Sequence, residues 1–365
     1  MSAAIVKNRP PWFESLAALT KQPWQSIGDW PTPIDAPSRF AKRMNIPNLF
    51  IKREDRSHAI CGGNKVRGLE FILGDALARR AKTILTFSAA GSHHIAKTAW
   101  HARQFGIDTI ALVVPQPRAR YVQRNMLAAL ASNARYIAAN YFTVLPKLGI
   151  EFLRTRNAYY VSPGGTSPRS CLGHVAAALE LGQQVRDGVM PRPDYLFVPM
   201  GSMGTAAGLL IGLRLARLPT RLVGVTVSYR WYCTPGRCAR MARRILNLIH
   251  ADQTNLPISA PNTRSLDVIS DSLGSGYARF TPQAVELANQ LLDDEGLALD
   301  GTYTSKTLHG MCEFIRTRRL EQKVHLFWNT YAPSPPLESV DEHLARLPPK
   351  LLSYFRESLQ ELDIG

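Results

Sequence analysis

Cys61-Gly62-Gly63-Asn64-Lys65-Val66-Arg67-Gly68-Leu69-Glu70 brings a lysine, two glycines and the start of a periodic helix together. Upstream, Leu49-Phe50-Ile51 reads as a strand running into the charges Lys52-Arg53-Glu54-Asp55. Apolar positions at Val66, Leu69, Phe71, Ile72 and Leu73 predict a strand–turn–helix unit whose helix opens at Asn64-Lys65. The glycines let the backbone pass close to something bulky. At a helix N-terminus the dipole opposes the charge of Lys65, which makes it a candidate for a lowered pKa and Schiff-base chemistry. On spacing alone, a solvated lysine at a helix start is the simpler account.

A second stretch, Gly201-Ser202-Met203-Gly204-Thr205, lies between a strand ending at Val198 and a helix beginning near Ala206. A Gly-rich turn onto a helix N-terminus offers free N–H groups and a positive dipole end, which suits phosphate; an ordinary strand–helix turn is the alternative. A dinucleotide fingerprint does not fit. The spacing is Gly-x-x-Gly-x-x-x-Gly, and the next strand, Val223–Val227, ends in Ser228 where a ribose would need an acid. A third stretch, Gly91-Ser92-His93-His94, opens another helix, and by residue type alone is an N-cap serine with two exposed histidines.

The elements that must position these residues alternate. Thr83–Phe87 is a strand, His93–Phe105 a helix, Thr109–Val114 a strand ended by Pro115-Gln-Pro117, Tyr121–Leu130 a helix and Ala134–Ile137 a strand. Such alternation predicts a parallel α/β sheet, with residues 66–178 as a smaller unit. Ser162–Gly173 is too rich in Gly, Pro and Ser for regular structure and leads into a helix at His174–Val185; Asp194–Pro199 is a buried strand. Trp30-Pro31-Thr32-Pro33 reads as an extended turn.

Length and composition bound the rest. A chain of 365 residues predicts two subdomains or one large α/β unit. No apolar run is long enough to cross a bilayer, and Met1–Pro10 has no signal core, so a cytosolic protein is expected. Five scattered cysteines do not resemble a disulfide framework, and Cys233 and Cys238 lack the further ligands of a structural zinc site, so no metal is expected. The net charge of +16 could serve nucleic acid. Clumps such as Arg237–Arg244 and Arg316–Arg319 read instead as solvated helix faces, and a positive field would draw in an anionic substrate.

Ile51–Asp55, Gly62–Lys65 and Arg67-x-Leu69-Glu70 resemble the cofactor-lysine region of fold-type-II pyridoxal-phosphate (PLP) enzymes, and more narrowly the 1-aminocyclopropane-1-carboxylate (ACC) deaminase / D-cysteine desulfhydrase family. The resemblance covers nearly the whole chain after residue 30. It implies a two-domain α/β fold like that of the tryptophan synthase β subunit, each domain a mostly parallel twisted sheet covered by helices. Residues 1–65 and 179–365 would form the large domain and 66–178 the small one. It implies PLP as cofactor, Schiff-linked to Lys65 beside Asn64, with its phosphate in the loop of Gly201, Ser202, Met203, Gly204 and Thr205. Met203 stands where the family has glycine. Ser92 and His94 match residues that touch substrate, while His93 replaces the asparagine that bonds the cofactor's phenolate oxygen. Gly276-Tyr277 matches the family's Gly-Tyr, whose phenol is a candidate acid/base, and Leu299–Met311 supplies Tyr303, Thr304 and Lys306. His325–Thr330 matches the last core strand, but Tyr331-Ala332 stand where two glycines are usual.

Within the family, the deaminase branch has glutamate at the position of Thr304 and leucine at that of Thr330; the desulfhydrase branch has hydroxyl residues at both. A carboxylate keeps the pyridine nitrogen protonated, a strong electron sink, whereas a hydroxyl gives a weaker one. The resemblance therefore implies β-elimination on a small amino acid, D-cysteine desulfhydrase-like, giving pyruvate, ammonia and a leaving group such as sulfide. Lys65, Ser92 and Tyr277 would be catalytic, Thr304 and Thr330 would face the cofactor, and His94 and Tyr303 the substrate. Replacement, racemisation or another deamination is the alternative, with a non-catalytic basic nucleic-acid-binding relative behind it. A homodimer is also implied.

Overall fold

The computed structural model describes residues 8–253, 256, 258–259, 261–335 and 340–363. The strands are β1 (Ile34–Asp35), β2 (Leu49–Arg53), β3 (Thr83–Ala89), β4 (Asp108–Val114), β5 (Ala134–Ala138), β6 (Ala158–Val161), β7 (Tyr195–Met200), β8 (Arg221–Thr226), β9 (Leu266–Ile269) and β10 (His325–Asn329). The longer helices are α1 (Lys65–Ala78), α2 (His93–Arg103), α3 (Arg120–Ala131), α4 (Val144–Arg154), α5 (Pro168–Arg186), α6 (Gly204–Leu215), α7 (Pro235–Asp252), α8 (Pro282–Glu295) and α9 (Thr304–Arg318). They build two sheets, ordered β1-β2-β10-β7-β8-β9 and β5-β4-β3-β6. Every pairing is parallel except β1 with β2. The near-continuous apolar runs of β4 and β10 follow from this, because parallel strands are covered on both faces. In such sheets ligands collect outside the strands' carboxyl ends. There β2 leads toward Lys65, β3 toward Ser92, β7 into Gly201 and β10 into Thr330.

Four buried ionic side chains tie α1 to β2 and α5. Lys52 Nζ reaches Glu180 at 2.5 Å, and Arg67 donates to Glu54 at 2.6 and 2.7 Å and to Glu180 at 3.0 and 3.1 Å. Arg67 also lies 4.0 Å over the ring of Trp30. Glu70, on the same helix, accepts from the indoles of Trp24 and Trp30 and from the backbone N–H of Ile27 and Gly28. Arg67 and Glu70 of the lysine motif thus seat α1. Helix α5 packs on α6 closely enough that a Cβ at Gly208 or Gly212 would stand 2.5 or 2.6 Å from its neighbours; this fixes the N-terminus of α6 at the site.

One expectation needs correction. The helix expected at His174–Val185 begins at Pro168, because Ser167 caps it in a capping box with Ser170 and Pro168 suits the first turn. That helix also runs through the 178/179 division without a break. Among the last residues, Leu347, Leu351 and Tyr354 join a core with residues of α3 and with Phe280 and Val285, and Tyr354 exchanges hydrogen bonds with the backbone of Gln116. The arginines of α7 are exposed while Cys238, Ala239, Ala242 and Ile245 are buried, the solvated-face arrangement expected of them. Among the described residues no helix is long and apolar enough to cross a membrane.

Candidate active site

Lys65 is the first residue of α1, delivered by a turn that only glycine permits. A Cβ on Gly62 would sit 2.2 Å from the Asp55 carbonyl oxygen, and Gly63 has φ +100°. The Gly63 N–H donates to the Glu54 carbonyl and the Asn64 N–H to the Thr330 carbonyl, at 2.9 and 3.2 Å. Lys65 faces a cavity lined by His94, Gly164, Gly165, Thr166, His174, Gly204 and Thr205. Among the described residues its ammonium has neither a hydrogen-bond nor an ion-pair partner. Burial lowers its pKa to about 8.

The Gly201–Thr205 loop closes the cavity beside Lys65. Asn64 Nδ2 donates to Thr205 Oγ1 at 2.8 Å, and Thr166 donates to Ser202 Oγ at 2.6 Å, so the loop is held to both α1 and the 164–166 turn. The opening N–H groups of α6 have no intrahelical acceptor and stand free for an anion. Met203 adopts the left-handed conformation, φ 65°, that explains why glycine is usual there. Its side chain is buried in the core between α5 and α6, and that packing offsets a backbone cost of about 1–2 kcal/mol.

Ser92 occupies the N-cap position of α2, yet its hydroxyl makes no capping bond and is left over for other use. His93 is enclosed by rings: stacked on Tyr121 at 5.3 Å, edge-on to Tyr331 at 5.5 Å and to Tyr303 at 6.2 Å. Burial drops its pKa to about 4, Asp300 opposing and Lys97 and Lys65 assisting, so the ring is neutral at pH 7. Its Nδ1 lies 3.0 Å from Asn125 Nδ2, while its buried Nε2 has no partner among the described residues. Tyr277 and Tyr303 share a 2.7 Å hydroxyl contact. Tyr303 also stands 3.6 Å from where a Gly201 Cβ would be, which links the aromatic cluster to the loop. Lys306 Nζ donates to the carbonyls of Leu273 and Gly276 and so holds the Tyr277 loop.

Two sequence expectations change. His94 lines the cavity, but its nitrogens contact Thr98 Oγ1 at 3.1 Å and Thr86 Oγ1 at 3.4 Å, leaving none free for substrate. Thr304 donates its hydroxyl proton to Asp300 Oδ1 at 2.6 Å, so toward a ring nitrogen it can only accept. Among the described residues the Thr330 hydroxyl has no partner and can still donate. Three side chains were not anticipated. His174 borders the cavity with Nδ1 unpartnered, buried Lys97 donates to the Ala332 carbonyl at 3.1 Å, and Asn125 meets His93. Lys97 was legible in principle, one turn after His93 on the same helix face.

The donor set fits PLP. The bare start of α6 suits a phosphate, the unpaired amine of Lys65 an aldehyde, and the orphaned Nε2 of His93 a ring oxygen. Comparison with known proteins points the same way. The nocardicin C-9' epimerase of Nocardia uniformis subsp. tsuyamanensis is 30% identical over 332 residues, 88% of this chain and 97% of its own. The crystal structure of an ACC deaminase homologue superposes with TM-score 0.74 at 26% identity, covering 93% of this chain and 100% of its own. A fungal L-serine ammonia-lyase from Rhizomucor miehei shares the fold at TM-score 0.59 and 18% identity, over 87% of this chain and 98% of its own. The family described as pyridoxal-phosphate dependent enzyme matches residues 26–330. Matched over most of its length, this chain belongs to the PLP-dependent enzymes of fold type II, and pyridoxal 5'-phosphate is its cofactor.

Proposed function

We propose that the protein is a lyase that removes the α-proton of a small amino acid and expels its β-substituent, as a D-cysteine desulfhydrase does. The observation that carries this reading is Lys65: enclosed, unpaired among the described residues and lowered by burial to a pKa of about 8. Asn64, His93, Thr330 and the Gly201–Thr205 loop would hold the cofactor, and Ser92 and Tyr277 would meet the substrate. When bound, PLP supplies the electron sink that makes a Cα–H bond acidic. Lys65 Nζ takes that proton, and the pair left on Cα forms the Cα–Cβ double bond as the Cβ–S bond breaks toward sulfur. The released enamine hydrolyses to pyruvate and ammonia. A hydroxyl at Thr330 that can donate to a neutral ring nitrogen, with no carboxylate at 304, supports a reaction with a good leaving group over opening of a cyclopropane.

Epimerisation at Cα is the second reading, supported by the 30% identical relative named an epimerase. The Tyr277–Tyr303 pair suits it too. Burial raises Tyr277 to about 12, so its O–H remains available to return a proton. A homodimer and a cytosolic setting are carried forward as part of the proposal.

Lys65→Ala removes the amine and is expected to abolish both turnover and the Lys65-linked absorbance near ~420 nm. An active, yellow K65A protein overturns the assignment. With D-cysteine, pyruvate release identifies elimination; solvent deuterium at an inverted Cα without pyruvate identifies epimerisation.

A further inference from the structure

His93 departs from the family's asparagine, and Tyr331-Ala332 depart from its glycines. In space these departures meet. Tyr331 packs edge-on against His93, and two residues beyond Ala332, Ser334 donates to Asn125 Oδ1. Asn125, on α3 and buried, donates from Nδ2 to the Gly91 carbonyl at 2.8 Å and meets His93 Nδ1 at 3.0 Å. A carbonyl can only accept, so the contact with Gly91 fixes which end of the Asn125 amide is nitrogen. Both amide hydrogens are then committed, one to Gly91 and one to His93. His93 Nδ1 must be the acceptor, and in a neutral ring the proton lies on Nε2. That Nε2 is buried and has no partner among the described residues.

We propose that Asn125, oriented by Ser334, is a positioning residue that locks His93 as the Nε2–H tautomer, so that His93 presents one fixed donor to the cofactor's phenolate oxygen. An asparagine at position 93 would carry its own amide donor. A histidine has two possible tautomers, and one of them would turn a lone pair toward the phenolate. Asn125 removes that choice. Stacking on Tyr121 fixes the ring plane, and the Tyr331 ring fills space that glycine would leave open. The inference rests on the PLP assignment and not on the choice between elimination and epimerisation.

The test uses 15N-histidine-labelled holoenzyme and Asn125→Leu, which keeps the bulk and removes the amide. In the native enzyme the His93 signals are expected to show an unprotonated Nδ1 and a protonated Nε2. In N125L they are expected to show tautomer mixing. The visible-absorbance titration of bound PLP should then move upward by about one pH unit, since a lost donor leaves more charge on the phenolate to hold the neighbouring proton. A protonated Nδ1 in the native enzyme overturns the proposal. So does N125L that binds PLP through Lys65 with the native titration and tautomer. If N125L does not fold, Ser334→Ala gives the same two readouts at smaller amplitude. Absence of any Lys65-linked band in the native enzyme would count against the PLP reading itself and is thereby distinguished.

Discussion

At Lys65 the decisive property is that, among the described residues, no carboxylate pairs with it. A paired lysine would keep its proton up to about pH 10, whereas here burial brings the pKa down to about 8. Below that value the neutral amine falls tenfold for each pH unit. The rate at which cofactor-free protein takes up PLP is therefore expected to rise about tenfold from about pH 6 to 7 and level off above about pH 8. Stopped-flow absorbance would show this; a flat profile over that range would mean that Lys65 is not the group reacting. Asp300 acts at the same scale. It accepts the backbone N–H of Thr302, Tyr303 and Thr304 as well as the Thr304 hydroxyl, and so sets the start of α9 and the direction of the Thr304 proton together.

Between elements, the Lys52–Glu180–Arg67–Glu54 network joins a strand of the large sheet to the cofactor-lysine helix and to the helix bordering the phosphate loop. Burial alone would raise the Glu180 pKa, but Arg67 and Lys52 outweigh it and bring the value to about 2. The unfolded value is about 4.3. A depressed carboxyl stabilises fully above the unfolded value, and the contribution, about 3 kcal/mol, disappears as pH falls toward 2. Glu180→Ala leaves two buried cations short of a partner and is expected to destabilise by about 3–5 kcal/mol. Urea denaturation at about pH 7 and about pH 3 measures both: the variant's deficit should shrink at the lower pH. A deficit independent of pH would mean that lost packing, not charge, is responsible.

On the scale of the whole molecule, one surface stands apart. Phe142 is 90% exposed and Leu153 87%, and Leu145 and Ile150 of the same α4 segment are exposed as well. The chain's net charge of +16 discourages unspecific association. We expect the proposed homodimer to cover this apolar face. Sedimentation should give a dimer mass for the native chain and a monomer for Leu153→Glu; a native monomer, or a variant that stays dimeric, refutes the assignment of that face.

Much of the architecture follows from local sequence. The apolar runs of β3, β4, β7 and β8, the glycines before Lys65 and after β7, and the periodicity of α1 and α2 each specify their element within a few residues, because propensity and turn chemistry act over that distance. Four-residue β6 carries too little pattern to stand out, and the start of α5 was masked by the Gly-Pro-Ser content of its own cap. Folding alone brings distant residues together: Glu180 with Lys52, 128 positions apart, and Ser334 with Asn125, 209 apart. Tertiary packing also sent the Thr304 proton to Asp300 and closed both His94 nitrogens against threonines. A side chain's type gives its possible chemistry, but whether its hydrogen bonds are spent or free depends on what folding places beside it.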